Sequence, residues 1–287
     1  MLAPAPRAPK ILVFDSGLGG LTVLRALIKQ RPDADVLYAA DDLGFPYGPK
    51  AEGEVVALAM RAIKALIGAR QPDCVVIACN TASTLVLPHL RKEWPEIPFV
   101  GTVPAIKPAA EFSTTRMISI LATPGTVSRD YTRALIDKFA GHCDVALVGA
   151  KKLANLAEAH MQGAPLDDAE VLAEIAPCFV TEGDRRTDCV VLACTHYPLL
   201  RDLFLRLAPW PVHWIDPAPA IARRADHVLR EKFPPQRQSG GFAFRYTSGA
   251  AAGERLRKAL EAFLLPHPAD THAAPFREAC SPSLRTK

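Results

Sequence analysis

Asp73-Cys74-Val75-Val76-Ile77-Ala78-Cys79-Asn80-Thr81 and Asp188-Cys189-Val190-Val191-Leu192-Ala193-Cys194-Thr195-His196 are two copies of one phrase. In each, a short continuous apolar run rich in Val has the pattern of a strand buried on both faces of a parallel sheet. Each run ends in a cysteine followed by polar residues, and the carboxyl end of such a strand is where open α/β sheets keep their ligands. One thiol per half of the chain predicts a site built from two facing halves. Taken singly, a strand-end cysteine also has a packing explanation, because free Cys behaves as a small apolar residue. Cys74 and Cys189, inside their strands, fit that explanation. Cys79 and Cys194 instead precede a polar pair that opens an expected helix, whose positive end can favour a thiolate.

Outward from these phrases, short Val/Ile/Leu runs alternate with longer amphipathic segments. Strands are expected at Ile11–Phe14, Asp35–Ala40, Cys74–Cys79 and Phe99–Val103, then at Met117–Ala122, Val145–Val148, Cys189–Cys194, Val212–Ile215 and Phe242–Tyr246. Helices are expected at Leu18–Gln30, Ala51–Ala69, Thr81–Lys92 (interrupted near Pro88), Val127–Phe139, Lys152–Gln162, Asp167–Glu182, Leu199–Leu207, Ala218–Lys232 and Gly253–Leu264. Such alternation means parallel sheets covered by helices. Asp73 and Asp188 stand 115 positions apart, too far for a solenoid repeat and suited to two related lobes. The fold class expected is α/β, with two pseudo-symmetric lobes, each a mostly parallel sheet flanked by helices, and an active site in the cleft between them. Pro104 and Pro108 mark the first crossing and Asp216-Pro217 the return. Residues 1–103 with 216–265 then form one lobe and 104–215 the other. The Pro-, Ala-, Thr- and Ser-rich tail, 266–287, is expected to be disordered.

Composition excludes several function classes. The 287 residues are 49% hydrophobic and 22% charged, ordinary for a soluble globular protein. A net charge of +4 without a Lys/Arg run argues against a nucleic-acid binder. Met1–Lys10 lacks the apolar core of a signal peptide, and no stretch approaches the roughly 18 apolar residues of a membrane span. A cytoplasmic protein with no membrane partner is expected. The seven cysteines do not read as a secreted disulfide framework, which leaves reduced thiols. Zinc is not expected: Cys74 and Cys79 point to opposite faces of a strand, and no C-x-x-C occurs.

Asp15-Ser16-Gly17-Leu18-Gly19-Gly20 is a Gly-rich strand-to-helix turn whose backbone N–H groups can face an anion. It matches neither the dinucleotide fingerprint, since Thr22 stands where the third glycine belongs, nor a P-loop. A small carboxylate is the better guest, with a plain tight turn as the alternative. Asp15, at a strand's carboxyl end, can accept or orient a proton. Pro46-Tyr47-Gly48 and Thr123-Pro124-Gly125-Thr126 have hydroxyls and N–H groups suited to an amino acid's charged ends, although ordinary turn chemistry also explains them. His196 can relay the proton of neighbouring Cys194.

At these residues the chain resembles the glutamate racemases of the aspartate/glutamate racemase superfamily. The resemblance rests on Phe14-Asp15-Ser16-Gly17-Leu18-Gly19-Gly20, Pro46-Tyr47-Gly48, Ala78-Cys79-Asn80-Thr81-Ala82-Ser83, Thr123-x-Gly125-Thr126 and Cys194-Thr195-His196-Tyr197-Pro198. It implies cofactor-independent interconversion of L- and D-glutamate for peptidoglycan synthesis, by Cys79 and Cys194 acting on opposite faces of the α-carbon with thiols tuned near neutrality. Asp15 would assist Cys79, and His196 and Glu158 would assist Cys194. Asp15, Ser16, Tyr47, Gly48, Asn80, Thr81, Thr123, Thr126, Thr195 and His196 would hold the substrate, and a homodimer is implied. Where the family often has Asp-Thr-Ala-Arg ahead of Pro-Tyr-Gly, this chain has Asp42-Leu43-Gly44-Phe45. Three other readings remain open on sequence: racemisation of aspartate or another small acid, a cysteine hydrolase using one thiol with His196, and a lobe pair that only binds acidic ligands.

Overall fold

The computed structural model describes residues 7–264; the start of the Pro-rich N-terminus and the tail 266–287 lie outside the described residues. The chain runs β1 (Lys10–Asp15), α1 (Leu21–Gln30), β2 (Asp35–Ala40), α2 (Glu52–Arg70), β3 (Cys74–Ile77), α3 (Asn80–Glu93), β4 (Phe99–Gly101) and α4 (Ile106–Phe112). It continues through β5 (Met117–Ala122), α5 (Pro124–Val127), α6 (Asp130–Phe139), β6 (Asp144–Gly149), α7 (Leu153–Met161) and α8 (Asp168–Ile175). A small hairpin of β7 (Thr181–Glu182) and β8 (Arg185–Arg186) leads to β9 (Cys189–Ala193), α9 (Arg201–Leu207), β10 (His213–Ile215), α10 (Ala218–Leu229), β11 (Phe242–Tyr246) and α11 (Glu254–Leu264).

Two parallel sheets result, one in the order β11-β2-β1-β3-β4 and the other β10-β9-β5-β6. The repeated phrases occupy equivalent places: β3 pairs with β1 in the register Ile11↔Cys74, and β9 pairs with β5 in the register Ile118↔Cys189. Alternate residues of each strand feed separate cores, as the period of two requires. Cys74 and Val76 pack toward α1 and α10, whereas Val75, Ile77 and Cys79 pack toward α2 and α3. In the second sheet Val190, Leu192 and Cys194 face α7 and α8, and Cys189, Val191 and Ala193 face α4 and α6. Each sheet is therefore covered on both faces, which explains why its strands read as unbroken apolar runs.

Local differences from the expected elements have local causes. Helix α3 runs through Pro88, because a buried face that includes Val86 and Leu90 outweighs one missing backbone hydrogen bond. The expected helix 127–139 is split: Arg129 is extended and caps α6, while its guanidinium turns to the Thr81 carbonyl. The expected helix 167–182 stops at Ile175, where Ala176-Pro177-Cys178 tightens into a 3-10 turn before the hairpin. Helix α4 was not foreseen. Pro108 falls in its first turn, where the N–H has no intrahelical partner in any case.

Candidate active site

Both repeated strands deliver their last cysteine to one small cavity. Ser16, Phe45, Tyr47, Cys79, Asn80 and Thr81 bound it from the first sheet's loops, and Thr123, Cys194, Thr195 and His196 from the second's. Its volume of about 20 Å³ holds roughly one water molecule. An amino acid can therefore occupy it only when the walls part. Gly125 lies so close to the first lobe that a Cβ there would stand 2.6 Å from the Gly48 carbonyl oxygen. The two turns at Pro46-Tyr47-Gly48 and Thr123-Pro124-Gly125 thus meet across the cleft.

Cys79 caps α3: its Sγ accepts the Ala82 N–H at 3.4 Å and lies 3.6 Å from Ser16 Oγ. Ser16 Oγ in turn donates to Asp15 Oδ1 at 3.2 Å, which also accepts the Gly17 N–H at 3.3 Å. The helix end was expected to favour a thiolate here, and it does not prevail. Burial pushes the Cys79 thiol up to about 12, Asp15 reinforces the rise, and the Ala82 N–H and Ser16 hydroxyl only moderate it. A thiol tuned near neutrality is therefore replaced, in this closed cavity, by one that keeps its proton. Burial also lifts the Asp15 carboxyl above the ordinary carboxylate range, against the pull of His196. Such a carboxyl is suited to receiving a proton.

Cys194 has different company. It leads into a 3-10 turn, Tyr197–Leu200, and not directly into an α-helix. Its Sγ lies 3.8 Å from His196 Nδ1, and His196 Nε2 is 2.8 Å from Glu158 Oε2 on α7. Burial opposes charge on His196, but hydrogen bonds to Cys194 and Glu158 outweigh it and hold the imidazole well above its usual range. The Cys194 sulfur therefore has an imidazole that favours its cationic form as its nearest polar neighbour.

The Gly-rich turn after β1 does face a carboxylate, and that carboxylate is Glu158. The Leu18 N–H donates to Glu158 Oε2 at 2.8 Å, the same oxygen that meets His196. A Cβ on Gly17 would stand 2.8 Å from that oxygen, and one on Gly19 only 2.5 Å from His196 Nδ1. The glycines are needed because the second lobe's relay presses against their backbone. Helix α1 starts at Leu21, three residues later than expected, since 18–20 serve this contact.

The remaining expected residues fall in two tiers. Asn80 is buried and neither end of its amide has a hydrogen-bond partner, which makes it the clearest empty-handed polar group on the cavity wall. Thr81 and Thr123 hydroxyls lie 3.5 Å apart, and Thr126 Oγ1 backs Thr123 at 3.0 Å. Tyr47 lines the cavity, but its hydroxyl donates to Asp41 at 2.6 Å, so its phenol anchors the loop. Cys74 and Cys189 sit away from the cavity and are pushed up to about 12 by burial, as packing thiols. Two contributors escaped the sequence reading: Asp41 and the ring of Phe45. Asp41 had a signal, standing directly after β2 at a strand's carboxyl end.

A sequence profile described as Asp/Glu/Hydantoin racemase matches residues 21–225. The chain is 57% identical over 222 residues to a glutamate racemase of Brucella anthropi, covering 77% of this chain and 80% of that protein.

The chain belongs to the Asp/Glu/hydantoin racemase family.

A second relative, a glutamate racemase of Brucella ovis, is 57% identical over 225 residues, 78% of this chain and 81% of its own length. Among solved structures, Escherichia coli glutamate racemase in complex with L-glutamate and an activator, UDP-MurNAc-Ala, superposes with a TM-score of 0.79 at 35% identity. That match covers 89% of this chain and 95% of the other. Within this racemase family fold, the site described above lies between two parallel sheets whose strand-end thiols share one cavity.

Proposed function

We propose that the protein interconverts L- and D-glutamate without a cofactor, using Cys79 and Cys194 as a pair of acid–base groups. The observation that carries this reading is that two equivalent strands from separate sheets bring their terminal thiols to a single buried cavity. In that arrangement one sulfur removes the α-proton and the other supplies a proton to the opposite face. The substrate class is supported by the relatives named above, whose names specify glutamate.

The electrostatics set the starting state. Cys79 holds its proton, and Cys194, with the His196–Glu158 pair beside it, is assigned as the base of the first half-reaction. Reaction from this state leaves Cys79 as the thiolate and Cys194 as the thiol. The starting state returns when the protonated Asp15 carboxyl gives its proton to Cys79, through Ser16, and His196 passes its Nε2 proton to Glu158 and so to solvent before its Nδ1 takes the proton from Cys194. Asn80, Thr81, Thr123 and Thr195 supply the polar groups that hold the amino acid, with Thr126 bracing Thr123. Exclusion of water strengthens each of these interactions as the walls close.

No helix among the described residues is long and apolar enough to cross a membrane. We place the enzyme in the cytoplasm, where both thiols stay reduced, as a homodimer supplying D-glutamate to peptidoglycan synthesis. We divide the lobes, within the described residues, between 1–103 with 216–265 on one side and 104–215 on the other.

Circular dichroism of L-glutamate, D-glutamate and L-aspartate with purified protein tests the reading. Both glutamate signals are expected to decay to zero while aspartate keeps its rotation. A stable glutamate signal, or faster loss of the aspartate signal, would overturn it.

A further inference from the structure

We propose that Phe45 is a positioning residue for the second thiol: a first-lobe ring that holds the His196 imidazole on Cys194. The proposal deepens the racemase reading above and rests on it for the role of Cys194. Phe45 closes the loop Asp42-Leu43-Gly44-Phe45 that leads into Pro46-Tyr47-Gly48.

The geometry is specific. The Phe45 and His196 ring centroids are 5.5 Å apart, with the planes inclined at 41°. That separation is within the roughly 6 Å at which an aromatic ring attracts a cation. The ring is also wedged against the Gly17 turn, where a Cβ would stand 2.9 Å from Phe45 Cδ2. It forms a wall common to the thiol cavity and to a wider cavity of about 420 Å³ bounded by Asp42, Glu158 and Tyr246. Phe45 thereby stands between His196, which lines only the thiol cavity, and the wider space that Glu158 reaches.

The loop that presents the ring is fixed from behind. Tyr47 and Thr247 hydroxyls each donate to Asp41 at 2.6 Å, and Ser248 donates to Asp42 through its N–H at 3.0 Å and its hydroxyl at 2.6 Å. The relay Cys194–His196–Glu158 lies in the second lobe, yet the Leu18 N–H and the Phe45 ring that complete it come from the first. Parting the lobes removes both. The charged and titratable groups facing His196 are Cys194, Glu158 and Asp15; Phe45 adds the uncharged face that favours its cationic form.

The test compares Phe45→Leu, which keeps an apolar plug without a ring, with Phe45→Tyr, which keeps the ring. Histidine-labelled protein followed by nitrogen NMR reads the His196 titration midpoint without any substrate, and steady-state kinetics on glutamate supply kcat and KM. Phe45→Leu is expected to lower the midpoint by about half a pH unit and kcat by about two- to fivefold, the range of one cation–ring contact. KM should change less than kcat, and Phe45→Tyr should restore both readings. An unmoved His196 midpoint in Phe45→Leu, or an equal shift in both variants, overturns the proposal. If the unaltered protein leaves glutamate untouched, the racemase reading fails, and the NMR midpoints still decide whether Phe45 positions His196.

Discussion

The two thiol environments occupy equivalent places in their sheets and are chemically opposite. In the pairing frame Ile11↔Cys74 and Ile118↔Cys189, Asp15 on β1 has Ala122 as its counterpart on β5. Two residues beyond Cys79 stands Thr81, and two beyond Cys194 stands His196. The first thiol therefore has a carboxyl beside it and no imidazole. The second has an imidazole, with a carboxylate brought by α7 and secured by the other lobe's Leu18 N–H. A duplicated backbone supplies two sulfurs facing one cavity, and their neighbours differ: burial and Asp15 keep the proton on Cys79, whereas Cys194 has the His196 imidazole beside it. One site can then hold an acid and a base of the same residue type, the way paired titratable groups divide their roles when their surroundings differ.

The comparison breaks most decisively at the sulfurs. Cys79→Ser and Cys194→Ser should each lower racemisation of glutamate at least about 10³-fold, measured by circular dichroism, since each removes one of two proton-transfer groups. Full activity in either variant contradicts a two-thiol site. Glu158→Gln keeps the shape but removes the charge that supports His196, and should lower kcat by about 10²-fold. It also carries a pH signature. His196 has a raised pKa in the folded protein, so its pairing contributes stability that is complete below its unfolded value of about 6.5 and is lost as pH rises through the raised value. The loss of melting temperature in Glu158→Gln should thus be larger at pH 6 than in alkaline solution.

Asp15→Asn sharpens the contrast from the other side. Removing the charge that reinforces the Cys79 rise should bring that thiol's alkylation midpoint down from about 12 by about one pH unit, with the His196 midpoint less affected than in Glu158→Gln. Ser16→Ala, which deletes only a 3.6 Å contact to Cys79, should cost the least, about two- to tenfold in kcat.

Much of this was legible in the chain. The repeated Val-rich phrases announced buried parallel strands, and their polar endings located both thiols, because strand burial and strand-end position follow from local pattern. Glu158 was found only through resemblance: it sits 38 residues before His196, and no local period links a helix residue to a strand-end imidazole. The Gly17–Gly19 turn is expected from sequence to face a small carboxylate guest; the carboxylate it meets is the protein's own Glu158, which depends on how the lobes meet. Cys79 shows the same limit. Its helix cap was visible in the sequence, whereas the burial and the adjacent Asp15 that override the cap arise from tertiary packing. Phe45 was visible only as a departure from a motif, since its significance lies in a ring from the opposite lobe.

Deuterium incorporation during the first few per cent of reaction in D2O addresses the pair of thiols most directly. Starting from either enantiomer, the newly formed enantiomer should carry deuterium at the α-carbon while the remaining substrate carries almost none, because the proton is taken by one sulfur and delivered by the other. Deuterium appearing equally fast in the unreacted substrate would mean that a single group exchanges both faces, and the account of two oppositely prepared thiols would be wrong.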